Sequence, residues 1–460
     1  MAEFLDEDVA ACRAAAVVAA LEEIGVGAGD RVAVIAGNGD AFVAARDAAT
    51  AAALVLVPIN PRLAPAEIAW IVGHARPRAL LVDAAHVAAA HVAAAPTGVP
   101  SIEVDRLAIT ASRIALEHGR AGATILYTSG TTGRPKGCWR TAEQERARID
   151  ELCASYSIRG SDTHLIVCPL AHSAPGILLR AARAAGARTV IAARFTPESF
   201  VDDVAQHRAT IVFLVPTQVH RLLALAPPKL DSLRAVIVAG APFAPAAKAA
   251  FDAWLGHGRL FEFYGSSETG TVSVIGPEEH AAHPGSVGRA AAGVSVRVYD
   301  GELFVRSPAV MSGYLDDSGD HVMPLEARDG HISVGDLGSI DSDGWITLLD
   351  RKHDTIISGG VNVYPAEVER ALAALPQVAG AVVFGIDDDE WGQIVAAVIA
   401  PRAGAALDDI RNVLRDQIAG YKLPRAIAVC TLEELPVGSS GKALRRAARA
   451  AFAPRLERID

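Results

Sequence analysis

The chain has 460 residues, too many for one compact domain, and its length predicts two or three folded units. Its 43 basic and 53 acidic residues give a net charge of −10, which argues against nucleic-acid binding, and 51% hydrophobic residues exclude a largely disordered chain. Five cysteines without a C-x-x-C pair indicate neither a disulfide framework nor a thiolate zinc site. The acidic N-terminus is unlike a signal peptide and no apolar run is long enough for a membrane span, so we expect a cytoplasmic protein.

Short apolar runs alternate with helical patterns over the first 240 residues. We predict helices at 40–53 and 65–74. We predict strands at 31–36, 54–58, 79–82, 124–127, 164–168, 189–192, 211–215 and 235–239. Strands that alternate with helices are typical of parallel sheets with helices on their faces.

The pattern changes after about residue 287. Short strands at 294–299, 302–306, 332–334 and 345–349 are joined by Asp/Gly turns, including a hairpin signal at 342–344, and predict an antiparallel β appendage. A small α+β unit follows, with helices at 366–375 and 408–418 and strands at 378–384 and 394–399. The predicted fold class is therefore α/β, with a large N-terminal domain over 1–351 and a small α+β domain over 352–460.

The most informative string is YTSGTTGRPKG, over residues 127–137. It follows a predicted strand, and we expect a helix after it with Thr141 as N-cap and Gln144 as capping-box partner. Three glycines, four aliphatic hydroxyls and Lys136 offer many donors and no carboxylate, which suits a polyphosphate. The spacing is not that of a Walker A loop, and the composition alone is equally consistent with a flexible surface loop.

Two acidic motifs suit the other parts of a nucleotide. Glu268 stands among hydroxyls after a short β run, a setting that suits Mg²⁺ beside phosphates, and Tyr264 nearby suits stacking on a base. Asp336 suits a ribose diol and Arg351 suits a phosphate. Taken alone, Glu268 is more typical of a solvated turn, and Asp336 is also consistent with hairpin chemistry.

Two further candidates are weak in isolation. Lys442, on a Gly/Ser loop, is alone more typical of a solvated charge, and His172 is alone more typical of a structural histidine. His280 and His283 form an H-x-x-H pair that nothing nearby completes as a metal site, so we interpret both as surface residues.

In their order along the chain, these five motifs closely resemble those of the adenylate-forming superfamily, which contains acyl-CoA synthetases, adenylation domains and beetle luciferase. The resemblance extends from Asn38 to Lys442. It implies a large α/β domain and a small mobile C-terminal domain. It also implies an ATP-dependent carboxylate–CoA ligase that makes acyl-AMP and pyrophosphate, then acyl-CoA and AMP.

The resemblance also implies a role for each matching residue. The ATP and AMP site would comprise Thr128, Ser129, Gly130, Thr131, Thr132, Gly133, Lys136, Gly240, Ala241, Pro242, Tyr264, Gly265, Asp336 and Arg351. The acyl site would comprise His172, Ser173, Gly240, Gly265 and Gly270. Catalysis would rest on Lys442, Glu268, Ser267 and His172, with Mg²⁺ held by Glu268 and Thr131. CoA would contact Ser358, Gly359 and Gly360, and His353 would be the hinge between the domains, where the family usually has Asp or Lys.

The motifs leave several alternatives open. The residues after His172 are mostly apolar and offer no carboxylate for an α-ammonium group, so we expect an apolar fatty or aryl acid. The thiol acceptor is CoA or, alternatively, an acyl-carrier protein, and the enzyme is a monomer or a homodimer. A catalytically dead homologue is disfavoured because Lys136, Glu268, Asp336, Arg351 and Lys442 are all present.

Overall fold

The computed structural model describes residues 2–109, 112–115, 120–128, 135–225, 228–359, 361–415, 417–436 and 444–459. The elements up to residue 140 are the strands β1 Glu3–Phe4, β2 Arg31–Ile35, β3 Val55–Ile59, β4 Ala79–Val82, β5 Ser101–Glu103, β6 Thr124–Thr128 and β7 Lys136–Arg140, and the helices α1 Glu7–Glu23, α2 Asp40–Ala51, α3 Pro65–Ala75 and α4 Val87–Ala94. Strands β6, β3, β2, β4 and β5 run parallel, in that order, and β7 pairs antiparallel with β6. Every residue of β3 and β4 is buried, as expected for parallel strands covered on both faces.

A second sheet is built from the next stretch of chain. Its elements are the helices α5 Ala142–Ser155, α6 Ser173–Ala184, α7 Pro197–His207, α8 Pro216–Leu225 and α9 Pro245–Leu255, and the strands β8 Thr163–Ile166, β9 Arg188–Ile191, β10 Ile211–Leu214, β11 Ala235–Val238, β12 Leu260–Ser266 and β13 Gly270–Ile275. Strands β9, β8, β10, β11 and β12 are parallel neighbours in that order, and β13 pairs antiparallel with β12. The carboxyl ends of these five strands therefore share one edge, the usual place for a ligand site in such sheets.

The antiparallel region joins both sheets instead of standing apart from them. Its strands are β14 Ser286–Ala290, β15 Ser295–Tyr299, β16 Glu302–Arg306, β17 Gly313–Leu315, β18 Val322–Met323, β19 Ala327–Arg328, β20 His331–Ile332, β21 Asp336–Ile340 and β22 Trp345–Arg351. Most of them extend the second sheet beyond β13, whereas β17 pairs with β7 of the first sheet. The predicted hairpin at 342–344 is confirmed, because the Asp341 carboxylate accepts bonds from the backbone N–H groups of Asp343 and Trp345.

A third sheet forms the C-terminal unit. Its elements are the strands β23 Ile356–Ser358, β24 Val361–Val363, β25 Val378–Asp388, β26 Gly392–Pro401, β27 Ala426–Val429 and β28 Glu457–Arg458, and the helices α10 Pro365–Ala373, α11 Leu407–Arg415 and α12 Arg445–Phe452. The strand order is β24, β23, β26, β27, β28, with β25 also paired to β26. This sheet has its own buried core, so the predicted small α+β unit is present.

One local expectation was confirmed and another was wrong. The helix capped by Thr141 and Gln144 is present, but the strand β7 lies between it and the predicted phosphate loop, so the loop connects two antiparallel strands. His280 is not a surface residue, because it is 8% exposed and its Nε2 lies 3.1 Å from the backbone oxygen of Leu260. His283, only partly exposed, stacks on Trp345 with ring centres 3.6 Å apart.

The part of the chain that the structure describes contains no helix with both the length and the apolar composition that a bilayer span requires.

Candidate functional site

Two motifs that are 140 residues apart in sequence meet where the first and second sheets approach each other. The Thr128 hydroxyl, at the end of β6, donates to Glu268 Oε1 at 3.3 Å. The Tyr314 hydroxyl, on β17, donates to the same oxygen at 2.8 Å. Lys136 Nζ lies 5.2 Å from the centre of the Tyr314 ring. The structure thus brings one carboxylate and one ammonium group to the start and end of the predicted phosphate loop.

Most of that loop is outside the described residues. Ser129, Gly130, Thr131, Thr132 and Gly133 belong to the segment that the structure does not describe, and so do Gly360 and Lys442. Their predicted roles therefore remain predictions.

A tight turn between β12 and β13 presents Ser267 and Glu268. The Ser266 hydroxyl accepts bonds from the backbone N–H groups of Glu268 and Thr269, both at 3.1 Å. The fully buried Arg140 donates to the backbone oxygen of Ser267 at 3.0 Å. Because both ends of the turn are bonded, the Ser267 and Glu268 side chains are held at the edge of the sheet.

Glycine is required at both ends of this turn. A Cβ atom on Gly265 would collide with the backbone oxygen of Gly270. Gly270 itself has φ +73°, in the left-handed region that side chains disfavour. These two glycines therefore shape the turn, which is a structural reason for their presence beside any contact with ligand.

Asp336, Arg351 and Tyr264 form a second cluster. Asp336 and Arg351 face each other on β21 and β22, and Arg351 Nε lies 3.0 Å from Asp336 Oδ1. The Tyr264 hydroxyl donates to Asp336 Oδ2 at 2.6 Å. Burial would lower the pKa of Arg351, but Asp336 and Glu268 raise it, so the guanidinium stays charged. Since each carboxylate oxygen has a second lone pair, Asp336 retains acceptor capacity for a ligand.

A cavity of about 520 Å³ lies at the carboxyl edge of the second sheet, and all five residues of the predicted acyl site line it: His172, Ser173, Gly240, Gly265 and Gly270. Its apolar wall includes Leu152, Val167, Ile177, Phe213 and Phe263. The volume is typical of a small-molecule site. The cavity also reaches Ser267, on the turn described above.

The geometry around His172 fixes its protonation. Asn60 Oδ1 accepts a bond from the backbone N–H of Arg62, so the amide nitrogen of Asn60 points to His172 Nε2, at 3.3 Å. That nitrogen must therefore accept, which leaves the proton on Nδ1 of a neutral ring. Burial, and then the nearby Arg62 guanidinium, lower the pKa of His172 below its ordinary value, in agreement with this assignment.

Gly240 lies two residues after the end of β11, and its backbone φ angle is +93°. From it the chain runs through Ala241 and Pro242 to α9, and Gly240 lines the cavity. A glycine is needed here because the backbone is left-handed.

The C-terminal candidates lie apart from the cavity. His353 is in a short 3₁₀ helix, Lys352–Asp354, and its Nε2 is 3.4 Å from Asp354. Ser358 is buried on β23, and the backbone N–H of Gly359 donates to the backbone oxygen of Trp391 at 2.8 Å. None of the three lines the cavity.

The sequence analysis missed one single arginine and one set of arginines. One is Arg445, which contacts Asp350, Asp354 and Glu369 and so joins the C-terminal unit to the end of β22. The other is a set of arginines that line the cavity: Arg62, Arg148, Arg194 and Arg221. No single sequence motif predicts these four arginines, because they come from separate loops and helices.

Comparison with known proteins places these features in a family. Residues 9–315 match the model described as AMP-binding enzyme, and residues 367–442 match the model described as AMP-binding enzyme C-terminal domain.

Three relatives are similar over nearly their full length. The chain is 32% identical over 463 residues to a feruloyl-CoA synthase of Amycolatopsis sp, covering 96% of this chain and 92% of that protein. It is 29% identical over 439 residues to a 2-succinylbenzoate–CoA ligase of Bacillus licheniformis, covering 92% and 90%. The structure of o-succinylbenzoate CoA synthetase from Bacillus subtilis, in complex with its acyl-adenylate intermediate, matches with a TM-score of 0.82 and 26% identity, covering 95% of this chain and 91% of that one.

Proposed function

Because the chain belongs to the AMP-binding enzymes, in the acyl-CoA ligase branch of the adenylate-forming superfamily, we propose that it activates an apolar acid, fatty or aryl, for transfer to CoA. The reaction class is that of an AMP-forming acid–thiol ligase. In the first step a carboxylate oxygen attacks the α-phosphorus of ATP and pyrophosphate leaves. In the second, the CoA thiol attacks the acyl carbon, AMP leaves and a thioester forms.

The observation that carries this proposal is the position of the cavity. The cavity reaches the turn that holds Ser267. The same turn holds Glu268, which bonds to Thr128, and the strand before the turn, β12, carries Tyr264, which bonds to Asp336. An acid in the cavity would lie next to ATP bound by these groups. Two anions must approach each other in this reaction, so catalysis requires positioning and positive charge.

Three residues have proposed roles in charge stabilisation and binding. Arg351, which its neighbours keep charged, would contact the ribose or a phosphate, and Asp336 would accept bonds from the ribose hydroxyls. Lys442 would bridge the reacting carboxylate and the α-phosphate in the adenylation step. The residues of the predicted phosphate loop, from Thr128 to Lys136, would donate to the β- and γ-phosphates.

Magnesium fits the residues near the loop. Mg²⁺ is commonly held by one or two carboxylates together with phosphate oxygens. Glu268 is a carboxylate at the edge of the predicted phosphate site, oriented by two hydroxyl groups. Glu268, with Thr131, would hold the ion, and the ion would neutralise phosphate charge. Within the described residues no cluster of three or more metal-ligating side chains exists, so the phosphates would have to complete the site.

The cavity wall supports an apolar substrate. Leucine, isoleucine, valine and phenylalanine side chains line it, and no aspartate or glutamate among the described residues does, so the ammonium group of an amino acid would lack a partner there. Two relatives are named for ferulate and 2-succinylbenzoate, which are aromatic acids. We propose CoA as the thiol acceptor because these relatives are CoA ligases.

The domain organisation and location complete the proposal. Domains would span 1–351 and 352–460, with His353 as the hinge that lets the second domain present first Lys442 and then the loop at Ser358–Gly360. We also propose a reducing, cytoplasmic location, which the five unpaired cysteines support.

A pyrophosphate-release assay over a panel of acids, with and without CoA, tests the function. We expect acid-dependent release of pyrophosphate, formation of AMP, and a thioester only when CoA is present. Formation of ADP and orthophosphate with every active acid would overturn the proposal. Amino acids should be poor substrates beside their deaminated analogues, and equal kcat/KM values for such a pair would contradict the apolar-acid assignment.

A further inference from the structure

The charge of the acyl cavity differs from that of the whole chain. The protein has ten more acidic than basic residues, yet the described residues that line the cavity include four arginines and no aspartate or glutamate. A cavity wall of this composition attracts anions in addition to offering apolar surface.

Within the described residues, three of the four guanidinium groups have no protein partner. Arg148 is buried and occupied, since it contacts Glu145 at 3.3 Å and donates to the Ser173 hydroxyl at 2.6 Å. Arg62, Arg194 and Arg221 are exposed and line the cavity, and their side chains make no hydrogen bond or ion pair within the described part of the chain. By contrast, arginines such as Arg183 and Arg234 elsewhere in this domain are paired with carboxylates.

Two of these arginines follow strands that are separated, in the order of the second sheet, from the strand that leads to the turn at Ser267 and Glu268. Arg194 follows β9, and Arg221 shares one face of α8 with Thr217 and Gln218, after β10. Ser267 follows β12, which is two strand positions from β10. Neighbouring strands are about 4.8 Å apart, so the spacing from Ser267 to the Arg221 side is of the order of 10 Å.

We propose that the acid carries a second anionic group, a carboxylate, at the end opposite the reacting carboxylate, and that Arg194 and Arg221 bind it. This inference rests on the proposed ligase function and narrows its substrate class to an apolar body between two carboxylates. A purely apolar tail ending here would remove water from the guanidinium groups without replacing its hydrogen bonds, which is costly. A carboxylate instead forms charge-assisted, bidentate bonds with arginine.

Matched pairs of acids test this directly. Octanoate is compared with octanedioate, and 3-phenylpropanoate with 3-(4-carboxyphenyl)propanoate, by the rate of pyrophosphate release at several acid concentrations. We expect the dicarboxylate of at least one pair to have the higher kcat/KM, by about tenfold or more, as for hydrogen bonds to charged groups.

The double variant Arg194→Gln/Arg221→Gln should abolish that preference, mainly by raising KM for the dicarboxylate. The matched control is Arg159→Gln, an exposed arginine outside the cavity, which should keep the wild-type preference. A double variant that lowers kcat/KM equally for both members of each pair would show that the arginines only attract anions in general, and would overturn the inference.

The outcomes also separate this inference from the proposed function. Pyrophosphate release that favours the monocarboxylates supports the ligase assignment and overturns the second-anion inference. If the protein is folded and binds ATP but releases pyrophosphate with none of these acids, the ligase assignment itself is overturned.

Discussion

The two halves of the site handle charge in opposite ways. On the proposed nucleotide side, Asp336 is paired with Arg351 and bonded by Tyr264, and Glu268 accepts from two hydroxyls. On the proposed acyl side, Arg62, Arg194 and Arg221 line the cavity, and within the described residues their side chains have no hydrogen bond or ion pair. The proposed nucleotide side is therefore organised before ligand arrives, whereas the proposed acyl side has exposed positive charge that an anionic ligand can pair. Preorganisation favours catalysis, and unpaired charge favours selection of a substrate.

The largest expected effect is on the nucleotide side. Glu268→Gln keeps the size of the side chain but removes its charge, so acid-dependent ATP–pyrophosphate exchange should fall about 100-fold or more, with a higher requirement for Mg²⁺. The control is Tyr314→Phe, which removes only one donor to Glu268 Oε1 and should cost far less. Equal losses in the two variants would mean that Glu268 acts by holding the turn and not by its charge.

Asp336→Asn should raise KM for ATP about tenfold and lower the free energy of unfolding by about 1–3 kcal/mol, because Arg351 loses its anionic partner. Adding Arg351→Gln should recover stability without recovering ATP binding, since the unpaired cation is then gone. Thermal unfolding and exchange kinetics on the same preparations give both quantities. Asp341→Asn, at the other end of the same hairpin, is the control and should leave KM for ATP near the wild-type value. If it raises KM as much, the hairpin's stability and not the Asp336 charge determines ATP binding.

The hinge should give a smaller, selective effect. Proline at 353 fixes φ and disfavours helical backbone at Lys352, so His353→Pro limits the change in backbone that a rotating domain needs. We expect ATP–pyrophosphate exchange to persist while acyl-CoA formation falls about fivefold, and His353→Ala to be nearly silent. Acyl-CoA formation by His353→Pro at the wild-type rate would refute the hinge assignment.

The sequence predicted those parts of the molecule that depend on local pattern. Apolar runs such as Ile211–Leu214 became buried parallel strands, and the capping pair Thr141 and Gln144 formed as expected. Lys136–Arg140 was missed because its strand depends on pairing with β6, and its own residues show no clear alternation. His280 was misjudged because its burial depends on the distant carbonyl of Leu260.

The site followed the same rule. The family resemblance gathered five acyl residues from scattered motifs, and the cavity contains all five. The arginines of that cavity could not be predicted, because Arg62 follows β3, Arg194 follows β9 and Arg221 lies within α8. Only the folded arrangement of the two sheets shows that these charges share one space, without an acidic neighbour in its wall.

The smallest expected effect tests whether the unpaired charge reaches the chemistry. His172 is neutral because its Nε2 accepts from Asn60, and its pKa lies below the ordinary value of 6.5, through burial first and Arg62 second. Arg62→Gln removes the second cause and leaves the first, so the pKa of His172 should rise but stay below 6.5. Protonation breaks the Asn60 bond, so the acid limb of kcat/KM should move to higher pH in the variant. The unfolded chain binds this proton more readily than the folded one, so His172 also lowers stability as pH falls through 6.5 towards its folded pKa.

Selective ¹³C labelling of histidine, with His172→Gln to assign the resonance, measures the titration of His172, and Arg159→Gln is again the control. A His172 pKa that stays fixed in Arg62→Gln would mean that solvent screens the cavity arginines from the reacting end, and that they select the acid without tuning His172.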